Sequence, residues 1–150
     1  MPFKDKITIG GQTTSAVNLH FSVGSGGDNG AADVMLVQTM FHYLAHIYGK
    51  QTTYNGFSWN FLPDITGKCD EKTLKAIRLF QQAHADRLLK VDGLVEPAQY
   101  GGRMIVSKDE RVLTITLMHI LASEKHWQHK SGHYIAHLVK TNPALWNWLG

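Results

Sequence analysis

The strongest constraint on the fold is a helical pattern that carries its own start signal. Asp70 is a candidate N-cap, Glu71 sits in the positive first turn, and Leu74, Ile77 and Phe80 with Ala83 or His84 recur three and four positions apart. Such a helix buries one stripe and needs a second apolar surface to pack on. The chain offers one from Ala32 to Tyr48, where Val34, Val37, Met40, Phe41, Leu44 and Ile47 repeat with helical spacing and Gly49 follows as a stop. Lys68, Lys72, Lys75 and Arg78 read as a solvated basic face.

Before this pair, Val17, Leu19, Phe21 and Val23 alternate as on one face of a strand, with Ile7 and Ile9 as a candidate partner, so an N-terminal hairpin is expected. The glycine-rich run 24–30 has the backbone freedom of a loop, and Asp28 or Asn29 is placed to cap the next helix. It lacks the Gly-Lys-Ser/Thr ending of a phosphate-cradling loop. Residues 50–63 carry Tyr54, Phe57, Trp59 and Phe61 among polar residues without helical period, which suggests an ordered loop or short hairpin.

Beyond Val91-Asp92-Gly93, Pro97 suits the first turn of a short helix reaching about Tyr100. A long helix is expected from Asp109 to Gln128, a short one from His133 to Lys140, and a last one opened by Asn142-Pro143 with Leu145, Trp146 and Leu149 inward. No exact internal repeat is visible.

The 150 residues, 43% hydrophobic and 18% charged, fit one domain, divided into a β-rich segment 1–30, a core 32–102 and a helical extension 103–150. Fifteen Lys and Arg against twelve Asp and Glu leave a formal charge of only +3, so nucleic acid is not an expected partner. The single Cys69 excludes an intramolecular disulfide. No apolar run approaches the roughly 20 residues that span a bilayer, so neither membrane insertion nor a secretion signal is expected. Localisation is left open.

The phrase Ile65-Thr66-Gly67-Lys68-Cys69-Asp70-Glu71-Lys72-Thr73-Leu74-Lys75-Ala76-Ile77-Arg78-Leu79-Phe80-Gln81-Gln82 resembles the signature of peptidoglycan-binding domains of the small three-helix type. Val37-Gln38 upstream looks like the aliphatic-Gln pair of that family's first helix, and Val91-Asp92-Gly93-Leu94-Val95-Glu96-Pro97 looks like its second Asp-Gly turn. The resemblance spans roughly 32–97. It implies a mainly α fold: a peptidoglycan-binding-like three-helix core with a β-rich N-terminal segment and additional C-terminal helices.

The function so implied is non-catalytic binding of cell-wall peptidoglycan, through glycan strand or stem peptide, to bring an envelope-acting partner to the wall. Sugar C–H faces pack on aromatic rings while hydroxyls need directional partners, so Tyr54, Trp59, Asp64, Thr66 and Tyr100 are the candidate ligand contacts. Each has a competing structural role, as a core anchor for the rings and in turn formation for Asp64 and Thr66. No enzyme activity, cofactor or metal is expected. His129, His133 and His137 are spaced by four, but Ser131-Gly132 interrupts the helix and no His-Glu-x-x-His is present. The alternative is a protein-interaction or assembly module of a bacterial secretion or phage apparatus built on the same core, with Trp127, Trp146 and Trp148 available to a protein partner.

Overall fold

The structure is a computed structural model that describes residues 2–9, 12–49, 53–54, 57–58, 61–98, 105–106, 110–129 and 134–149. Strands β1 (Phe3–Ile9) and β2 (Gln12–Asn18) form an antiparallel hairpin with Ile7 opposite Thr14, and β7 (Ile105–Val106) lies parallel to β1 on its other edge. Two smaller pairs are β3 (Val23–Gly24) with β6 (Leu94–Val95), and β4 (Thr53–Tyr54) with β5 (Phe57–Ser58). The helices are α1 (Ala31–Tyr48), α2 (Glu71–Ala83), α3 (Thr114–His129), α4 (Tyr134–Thr141) and α5 (Trp146–Leu149).

Helix α1 is the axis of the molecule. It buries more than one stripe, since Leu36, Thr39, Tyr43 and Ala45 are enclosed along with the expected Val34, Val37, Met40, Phe41 and Leu44. It packs most closely on α3 and α4, whereas α2 makes its main contacts with β3 and β5. The Phe41 and Phe80 rings meet edge to face at 5.9 Å and tie α1 to the far end of α2.

A mainly α protein on a three-helix core is therefore not what the chain forms. Five α-helices combine with strands in a mixed α/β arrangement. The third helix expected from Pro97 to about Tyr100 does not include the described Pro97 and Ala98, and residues 99–100 lie outside the described residues: Ala98 donates its N–H to Asn18 Oδ1 at 2.9 Å and accepts from Asn18 Nδ2 at 2.6 Å, so its backbone is committed to Asn18 of β2.

Four further expectations shift for similar reasons. The hairpin lies earlier than the Val17–Val23 alternation suggested, because Asp33 takes the N–H groups of His20 and Phe21 and ends the ladder. Neither Asp28 nor Asn29 caps α1; the N-cap is Gly30, and Asn29 spends its side chain on the Gly24 backbone. Helix α3 begins at Thr114, not Asp109, because the Val112 backbone bonds Arg87 and Leu89. Trp146 faces outward at 64% exposure, since Leu145 and Leu149, four apart, occupy the buried face.

Candidate functional site

The turn that carried the sequence resemblance is built around one buried amide. Gln38, fully enclosed on α1, accepts at Oε1 from the N–H groups of Thr66 and Gly67, both at 2.9 Å. Its Nε2 donates to the Lys68 carbonyl and to Thr73 Oγ1, also at 2.9 Å. Both ends of the amide are thus used, and the turn is fixed from behind. Gly67 stands at φ 77°, a left-handed conformation that glycine adopts without a Cβ penalty.

The same turn starts α2. Thr73 donates its N–H to Asp70 Oδ1 at 3.0 Å and its hydroxyl to the same oxygen at 2.8 Å, as expected for an Asp N-cap. These bonds, the backbone one foremost, hold the Asp70 carboxyl below its ordinary pKa. With its backbone held from inside, the turn leaves Asp64, Thr66 and Lys68 exposed. Asp64 pairs with Lys72 at 3.4 Å, and Thr66 Oγ1 accepts from the Lys68 N–H at 3.1 Å. Next to this rim, Lys75 Nζ lies 4.7 Å from the centre of the Phe61 ring.

Of the candidate contacts, the structure brings Asp64 and Thr66 together on this rim. The Tyr54 backbone belongs to β4, paired with Phe57, but its side chain, like Trp59 and Tyr100, lies outside the described residues. Thr66 also bears out the structural role weighed for it, since its backbone and hydroxyl both serve the turn.

A second turn repeats the arrangement, which the sequence reading missed. Gln81, fully buried near the end of α2, accepts from the Gly93 N–H at 2.8 Å and donates to the Leu94 carbonyl at 2.8 Å and to Thr114 Oγ1 at 2.9 Å. Gly93 stands at φ 79°. Glutamine, left-handed glycine, the carbonyl one residue later and a threonine in the first turn of the next helix recur in the same roles. The sequence shows a Gln in a helix followed by a Gly turn in both places, but the burial of each Gln is not legible there and the second threonine lies beyond an intervening segment that hides the period.

Among the described residues, His119 and His84 have structural partners. His119, enclosed in α3, meets Tyr134 Oη at 2.7 Å through Nδ1 and Ser123 Oγ at 3.5 Å through Nε2. The Val17 N–H donates to Tyr134 Oη at 3.3 Å, so the phenol oxygen links β2, α3 and α4. Burial pushes the His84 pKa down, and its Nδ1 contacts the Phe80 carbonyl at 2.8 Å. Burial raises the half-buried Cys69 thiol, disfavouring a thiolate. No group of three His, Cys, Asp or Glu among the described residues is placed to hold a metal, and His133 and the His129 side chain lie outside them. No family model, curated protein or solved structure matches the chain.

Proposed function

We propose that the chain is a non-catalytic binder of cell-wall peptidoglycan, and that the Gln38-held turn is the centre of its contact surface. The observation that carries this reading is the division of labour at 64–68. Gln38 and Asp70 hold the turn from inside and the Thr66 hydroxyl takes the Lys68 N–H, so Asp64, Thr66 and Lys68 are presented on a preorganised backbone. A hydroxyl, a carboxylate and an ammonium on one rigid rim suit sugar hydroxyls and the charged ends of stem peptides. Tyr54 and Trp59 precede this rim in sequence and Tyr100 follows the second turn; all three stay candidate ligand contacts in this reading.

Sedimentation with insoluble peptidoglycan tests it. The wild-type chain is expected in the pellet, and Asp64→Ala with Thr66→Ala is expected to cut the bound fraction several-fold while the fold is retained, with only a small fall in melting temperature from the lost turn bond and exposed ion pair. Absence of the wild type from the pellet, or a double variant bound equally well, rejects the reading.

The alternative, a protein-interaction or assembly module, is favoured by a different observation. Leu89 and Val91 are 61% and 48% exposed just before the second turn, on backbone pinned by the Leu89 N–H to the Val112 carbonyl at 2.9 Å. Fixed, exposed aliphatic side chains suit a protein partner better than a glycan.

A further inference from the structure

A trough of about 320 Å³ lies between the N-terminal sheet and the last two helices. On the helical side Ile135, Ala136 and Val139 of α4 meet Trp146 and Leu149 of α5. On the sheet side stand Lys4 of β1 and Ser15 of β2. The lining is mostly apolar with one cation and one hydroxyl, and the volume falls at the lower end of the range for small-molecule sites, roughly 300 to 1,000 Å³. It shares no residue with the rim at 64–68.

Among the described residues, the charge around the trough has one sign. Lys6 is the cross-strand partner of Ser15 and shares a strand face with Lys4, two residues away. Lys140 lies four residues beyond Ala136 on α4, on the same side of the helix. All three lysines are exposed, and Lys4 has no ion-pair partner among the described residues. Residues 134–149 contain no Asp or Glu, and Asp5 projects from the opposite face of β1. An indole left 64% exposed beside aliphatic side chains and exposed lysines is a surface that an apolar body with an anionic end complements.

We propose that this trough binds a single-chain anionic amphiphile, an aliphatic carboxylate. Its chain lies along Ile135, Val139 and Leu149 against the Trp146 ring, and its carboxylate faces Lys4, with the Ser15 hydroxyl as a donor. The aliphatic stem of Lys4 covers the chain while its ammonium meets the charge. This site is independent of wall binding.

Titration of the full chain with decanoate below its micellar concentration, followed by the Trp146 indole N–H resonance assigned with Trp146→Phe, tests the proposal. Saturable one-to-one binding is expected, at least tenfold tighter than that of decanol, with no saturable binding of decyltrimethylammonium. Lys4→Glu is expected to reverse the preference between the charged probes. Ala136→Phe, at an exposed position, is expected to weaken decanoate at least tenfold. Equal binding of all three probes, an unchanged headgroup preference in Lys4→Glu, or binding only to anionic vesicles and not to free decanoate overturns it.

Discussion

Two turns in this molecule share one clamp and present opposite surfaces. At the first, Gln38 holds Thr66, Gly67 and Lys68, and the chain passes at once into the Asp70 cap of α2; the exposed residues are Asp64, Thr66 and Lys68. At the second, Gln81 holds Gly93 and Leu94, the chain enters β6 against β3, and Thr114 closes the clamp only after an intervening segment. The Gly93 carbonyl is taken by the Ser25 N–H at 3.0 Å, and the preceding exposed residues include Leu89 and Val91. The clamp is therefore scaffold in both places, and what distinguishes the turns is the chemistry of the side chains they leave outside.

The largest effect is expected from the clamp itself. Gln38→Leu removes the partner of two N–H groups, a carbonyl and a threonine hydroxyl and is expected to cost on the order of 3 kcal/mol in urea unfolding. Gln81→Leu, which frees one N–H group fewer, is expected to cost less. Equal stability of either variant with the wild type would break the equivalence of the turns.

The glycines come next. Alanine at Gly67 or Gly93 must adopt a left-handed φ, at about 1 to 2 kcal/mol. Gly67→Ala is expected to be the worse of the two, because its Cβ would lie 3.2 Å from the Ala31 carbonyl oxygen, whereas at Gly93 the nearest atom is the Ser25 Cβ at 3.4 Å. Thermal unfolding of both variants gives the order.

Asp70→Ala removes the cap that only the first turn has, at about 1 kcal/mol near neutral pH. Because the Asp70 pKa is lowered on folding, its contribution is present above the unfolded value of 3.8 and is lost as pH falls through the folded value. The variant should therefore converge on the wild type in acid. His84, also lowered, makes stability decline as pH drops below 6.5, and this slope is expected to persist in Asp70→Ala and to vanish in His84→Gln. Smallest of all, Lys72→Ala breaks an exposed ion pair with Asp64 and is expected to change stability by roughly 0.5 kcal/mol or less.

Local signals were the legible ones. Asp70, Gly49 and the stripe ending at Phe80 placed α2 and the end of α1, because a cap, a stop and a periodic face act within a few residues. The failures lie where distant groups compete for the backbone. Asn18 pairs with Ala98, 80 residues away, and takes the Ala98 backbone where Pro97 suits a helix start, and Val112 bonds Arg87 and Leu89 and delays α3. At the candidate site Asp64 and Thr66 could be read as a rim, but Gln38 and Gln81 look like ordinary polar helical positions until burial exposes their shared role.

The central claim is that the first turn, and not its equivalent, meets the wall. Amide chemical-shift mapping of the full chain with a soluble muropeptide measures this residue by residue. The account predicts saturable shifts at Thr66, Gly67 and Lys68 with Gly93 and Leu94 unmoved; shifts centred on Gly93 and Leu94, or none at either turn, would contradict it.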